Sequence, residues 1–222
     1  MRSVGYALVG VSLAVGIADW IAVARRNTGA EFVLKPLTLA VLIAAAAFLA
    51  TGNPAWTAAF TIAALALSLA GDVFLMLPRD LFVAGLGTFL LAHIAYVLAF
   101  NRTAPPEPLT AIAAVGVGAV AVPLYLRMRA GMIEKAQREF AVPVAIYVVA
   151  IGAMVVSAIA TAGRPEWPAL NSAAAIAGAL LFMASDSMIG WKRFVAEFRG
   201  ADVAIIVTYH LGQVLLVLGL LG

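Results

Sequence analysis

The chain has 222 residues, 64% of them hydrophobic and only 11% charged, with a net charge of +3 and a mean hydropathy of +1.06. Soluble domains carry about a quarter charged residues, so this composition excludes one and points to an all-α, polytopic membrane protein forming a single transmembrane helical domain over residues 1–222. The absence of cysteine excludes disulfides, thiolate catalysis and cysteine-based zinc or iron–sulfur sites.

A helix that crosses a bilayer needs about 20 mostly apolar residues, and helices are the economical way to satisfy backbone polar groups in lipid. Eight such runs occur in order. Span 1 covers 3–24; Met1 to Val4 lead into it without a small-residue cleavage site, so it reads as a retained span. Asp19 and Trp20 lie near its end, and the nearest cations, Arg25 and Arg26, suggest an interfacial ion pair for Asp19. Span 2 (33–51) opens on Lys35 and Pro36, and span 3 (55–76) contains Ser68 and Gly71-Asp72. Span 4 (81–100) holds His93 and Tyr96, whereas spans 5 (109–127) and 6 (140–162) carry no motif. Span 7 (170–191) contains Ser185-Asp186, and span 8 (201–221) contains Tyr209, His210 and Gln213. Glycine, proline and charged clusters separate the runs, as turns require.

The basic residues set an orientation rather than a nucleic-acid surface. Loops after the odd-numbered spans hold ten arginines and lysines, and the opposite side holds three. The odd loops are therefore expected in the cytoplasm, with both termini facing outward across the cell (inner) membrane. Spans 3 and 7 share a small residue followed by aspartate, each ahead of a span with polar residues. This faint repeat would make two parallel four-helix halves.

An acid at mid-span costs about 2.5–3.5 kcal/mol, which makes Asp72 and Asp186 candidates for function rather than packing. Each lies about five residues before its span ends, roughly 7 Å inside the boundary at 1.5 Å per residue. Lys35 falls at a similar depth, while His93, Tyr96, Tyr209 and Gln213 lie deeper. The picture is a polar pocket entered from the cytoplasmic leaflet. Adjacent residues on a helix point about 100° apart, so of Tyr209 and His210 only one aims squarely inward, and Tyr209 shares a face with Gln213. Blander readings stand beside these: Lys35 reaching for headgroups, His93 bonding helix to helix. No metal motif is present.

The ordered set Lys35-Pro36, Gly71-Asp72, the stretch from Phe82 to Tyr96 with His93, Ser185-Asp186 and Tyr209 to Gln213 resembles the YhhN/TMEM86 family of integral membrane proteins. Its characterised members are lysoplasmalogenases, and the eight-span count agrees. The resemblance implies hydrolysis of the vinyl ether bond of a lysophospholipid drawn from membrane lipid, giving a fatty aldehyde and a glycerophospho-ethanolamine or -choline. It places the family's motif aspartates, the catalytic pair, on Asp72 and Asp186, and no cofactor is required. Vinyl ether hydrolysis begins with protonation of the β-carbon by a carboxylic acid, and a low-dielectric setting disfavours the charged carboxylate. A second carboxylate suits the base. Lys35, His93, Tyr96, Ser185, Tyr209 and Gln213 are the expected substrate-binding set, with Lys35 on the phosphate.

Intramembrane acids and a repeat also suit a proton-coupled secondary transporter. An intramembrane aspartyl protease would need a Tyr-Asp partner sequence, which the chain lacks.

Overall fold

Apolar segments in lipid must close their backbone hydrogen bonds locally, and each predicted span is helical. The computed structural model describes residues 1–222 as eight α-helices without strands. They are α1 (Arg2–Ala24), α2 (Thr28–Leu49), α3 (Ala55–Met76), α4 (Phe82–Phe100), α5 (Glu107–Glu134), α6 (Ala141–Ala160), α7 (Ala169–Phe194) and α8 (Ala201–Leu221). All eight are long and apolar enough to cross a membrane.

The helix ends depart from the spans for local reasons. The Asn27 side chain accepts from the Ala30 amide at 3.1 Å and starts α2 at Thr28, upstream of the apolar run. At the other end of the bundle's charge scale, α5 continues through Arg127, Met128, Arg129 and Ala130 to Glu134, because these are good helix formers. Hydropathy marks where lipid ends, not where a helix does.

Neighbouring helices pair as hairpins, α1 with α2, α3 with α4, α5 with α6 and α7 with α8. The last helix is the hub, packing on α7, α1, α3 and α2, while α5 packs chiefly on α6 and α7 and is the most lipid-exposed. Small residues set the tightest crossing. A Cβ on Gly178 would stand 2.7 Å from the Leu216 amide nitrogen, and one on Gly219 2.6 Å from that of Ala175. Backbone cannot yield as a side-chain tip does, so Gly178→Val must force α7 and α8 apart. We expect a loss of about 1–3 kcal/mol, read as a lower Tm in detergent. Gly118→Ala, facing open space, is expected to show no such loss.

The basic end of the bundle is stapled across helices. Arg193 at the end of α7 pairs with Asp80 in the α3–α4 turn at 2.9 Å and stacks 4.0 Å over the Phe82 ring. The Arg193 hydrogen bond holds the exposed Asp80 carboxyl below the usual carboxylate range. Lys135 Nζ donates to the Arg193 carbonyl at 3.0 Å, tying the end of α5 to the same point.

Candidate functional site

Asp72 and Asp186 are each the eighteenth residue of their helix, α3 and α7, and so reach the same level near the basic end. They do not share one pocket. Each carboxyl organises its own cluster, and the two clusters stand on either side of an aromatic partition.

Around Asp72, Lys35 Nζ of α2 lies 3.1 Å from Oδ1, and Tyr209 Oη of α8 donates to Oδ2 at 2.7 Å. Asp72 and Tyr209 are buried, and the Lys35 side chain is 14% exposed. Lys35 thus pairs inward rather than stretching to the headgroups, since a buried carboxylate is its strongest partner in a low dielectric. Gly71 has a separate job: a Cβ there would sit 2.6 Å from the Phe89 ring, so glycine lets that ring lie against α3 beside Asp72.

Around Asp186, the Tyr147 hydroxyl of α6 donates to Oδ2, and His93 Nε2 of α4 lies 3.1 Å from the same oxygen. In the tautomer carrying its proton on Nε2, His93 is a second donor to Oδ2. Oδ1 is left without a protein partner. The Asp72 partners come from α2 and α8 and the Asp186 partners from α6 and α4, helices that correspond under a shift of four. The faint repeat in the sequence has this counterpart in space.

Phe182 divides the clusters. Its ring lies edge-on to His93 at 4.8 Å and to Tyr209 at 5.4 Å, and Phe89 adds to the wall at 6.1 Å from Phe182. Deeper still, Tyr96 Oη donates to Gln213 Oε1 at 2.6 Å, joining α4 to α8. Tyr96 and His93 share a helical face yet serve different neighbours, as do Tyr209 and Gln213. Ser185 Oγ donates to the Ile205 carbonyl at 3.0 Å, which commits it to the α7–α8 contact. His210 turns away from the carboxyls to accept from Trp20 Nε1 at 3.1 Å, leaving Tyr209 to face Asp72.

One side of this arrangement is open. A half-open apolar cleft between α3, α4, α5, α6 and α7 is lined by Leu75, Leu86, Leu124, Val148 and Met183 and reaches Tyr147 and Asp186. Asp72 does not line it; Phe89 and Tyr209 stand between. The polar end and aliphatic walls suit a ligand with one long hydrocarbon chain.

Two residues fall outside the sequence reading. Tyr147 gave no signal, because a tyrosine in an apolar run looks like any packing aromatic. Asp19 was expected to pair with Arg25 and Arg26, but it is fully buried and forms no salt bridge. It lies on the buried stripe of α1 with Ser12 and Gly16, facing α2 and α8, whereas the arginines lie beyond the helix on the exposed turn. The i, i+4, i+7 spacing of 12, 16 and 19 carried that signal.

The fold and this pair of carboxyl clusters define a multi-span, all-helical integral membrane protein with a lipid-level polar centre. The family model described as the YhhN family matches residues 30–220, and the chain belongs to that family. Among its relatives is a protein named lysoplasmalogenase from Mycobacterium bovis, 31% identical over 97% of this chain and 83% of its own. Lysoplasmalogenase TMEM86B of Homo sapiens is 30% identical over 71% of this chain and 62% of its own. An Escherichia coli O157:H7 protein named uncharacterized membrane protein YhhN is 27% identical over 92% of this chain and 95% of its own. No solved structure matches the chain.

Proposed function

We propose that the protein is a membrane-embedded, lysoplasmalogenase-like hydrolase that cleaves the vinyl ether bond of a lysophospholipid. The observation that carries this reading is Asp186, gripped by Tyr147 and His93 through one oxygen, at the head of an apolar cleft. The names of the relatives support the same activity.

In the proposed reaction the alkenyl chain lies in the cleft and Asp186 Oδ1 delivers its proton to the β-carbon. The electron pair of the double bond forms the new C–H bond, and positive charge spreads onto the α-carbon and ether oxygen. Water adds to the α-carbon and returns a proton to the Asp186 carboxylate. The hemiacetal then collapses, its hydroxyl proton passing to the departing glycerol oxygen, to give aldehyde and alcohol. Tyr147 and His93, donating to Oδ2, steady the carboxylate in between and fix which oxygen faces the substrate. Asp72 holds Lys35 at the same level, where its ammonium serves the phosphate. The basic residues around it support a site in the cytoplasmic leaflet, the side the positive-inside rule favours.

Purified protein given a lysoplasmalogen and its saturated alkyl-ether analogue should release aldehyde from the first alone, since only a vinyl ether forms the stabilised cation. Aldehyde from neither, together with substrate-driven proton uptake in liposomes, would replace the hydrolase with the transporter. Tyr147→Phe removes a hydrogen bond to a charged group, worth about 1.5–3 kcal/mol. It should lower kcat by roughly 10- to 100-fold and leave KM nearly unchanged, in a steady-state aldehyde assay.

A further inference from the structure

Asp19 is a membrane-embedded acid that neither carboxyl cluster uses. It is fully buried, and neither of its oxygens has a hydrogen-bond partner in the protein. It also lies outside the region matched by the family.

Its surroundings follow from the register of α1 on α2. Gly5 abuts Leu49, and Ser12 Oγ donates to the Thr38 carbonyl at 2.9 Å. Continuing this antiparallel register brings Asp19 opposite the turn from Glu31 to Lys35. Lys35 pairs with Asp72 on α3 at 3.1 Å, and Asp186 on α7 stands at the level of Asp72 and lines the cleft, so the groups follow one another from α1 to α7 as Asp19, Lys35, Asp72 and Asp186.

That order matches a substrate. A lysophospholipid with an ethanolamine headgroup reads ammonium, phosphate, glycerol, ether, hydrocarbon chain. With the chain in the cleft, the ether at Asp186 and the phosphate at Lys35, the terminal cation falls at Asp19.

We propose that Asp19 is the headgroup subsite and that it selects a primary ammonium, as in ethanolamine, over the trimethylammonium of choline. The inference rests on the hydrolase reading above. Two uncommitted carboxylate oxygens call for a cation that donates hydrogen bonds; a primary ammonium has three N–H donors and a trimethylammonium none. The space is also tight. A Cβ on Gly16, one turn away, would stand 3.3 Å from His210 Nδ1, and Trp20 is tied to the same ring. Lys35, partly exposed, marks the way in from the basic end.

The test compares vinyl ether lysolipids with ethanolamine and choline headgroups on the purified full chain. Wild-type protein should favour ethanolamine by roughly 10- to 100-fold in KM, the size of one charge-assisted hydrogen bond. Asp19→Asn should collapse that ratio to near unity through KM. Equal KM values in the wild type, or a parallel fall in kcat on both substrates in the variant, would overturn the proposal. A binding arm needs neither turnover nor a variant: saturated alkyl-ether lysolipids with the two headgroups are titrated against tryptophan fluorescence. Tighter binding of the ethanolamine form by a similar factor supports the subsite, and equal binding overturns it. If no vinyl ether yields aldehyde, the hydrolase reading fails, and the binding ratio still decides the headgroup assignment.

Discussion

Asp186→Asn is expected to remove aldehyde release almost completely, by roughly 10²- to 10⁴-fold in kcat, the range spanned by general acid–base groups. The amide keeps the shape of the carboxyl and still accepts from Tyr147 and His93, but it has no proton to give to carbon. Folding should therefore survive: the Tm in detergent and the elution volume of purified protein should stay close to wild type. Full activity in this variant would take Asp186 out of the reaction and leave the cleft without an acid.

Asp72→Asn is expected to act differently, because its partner is a cation. Removing one member of a buried ion pair leaves the other charge uncompensated, at a cost of about 3–5 kcal/mol. Lys35 and Asp72 are such a pair, 3.1 Å apart with Asp72 nearly inaccessible. The single variant should lose both stability and activity. Adding Lys35→Met removes the stranded charge, so the double variant should regain most of the Tm while remaining a poor enzyme on phosphate-bearing substrate. A double variant that recovers turnover along with stability would show that the pair serves folding only.

The helices were legible because lipid imposes one rule on every span: an apolar run of sufficient length and no other way to satisfy the backbone. Their ends were not, since Asn27 capping α2 and the helix-forming stretch to Glu134 act outside the apolar core. Polar residues in the site stood out for the same reason the spans did, each being costly where it lies. What the sequence withheld was lateral order. Nothing in the one-dimensional pattern says that α6 stands beside α7, so Tyr147 could not be joined to Asp186. Nor does it say that Phe182 falls between His93 and Tyr209, which turns one expected pocket into two clusters. Asp19 shows the opposite hazard, where nearness along the chain to Arg25 and Arg26 outweighed the helical stripe that buries it.

Helix α5 contributes Ala121, Leu124 and Met128 to the wall of the cleft while presenting most of its surface to lipid. A wall of that kind sorts what is made behind it. In the proposed reaction the greasy aldehyde would leave sideways past this lipid-facing helix into the surrounding acyl chains and never meet water. The phosphate-bearing alcohol would leave over the charged rim, so that the two halves of the severed molecule would part company as they form.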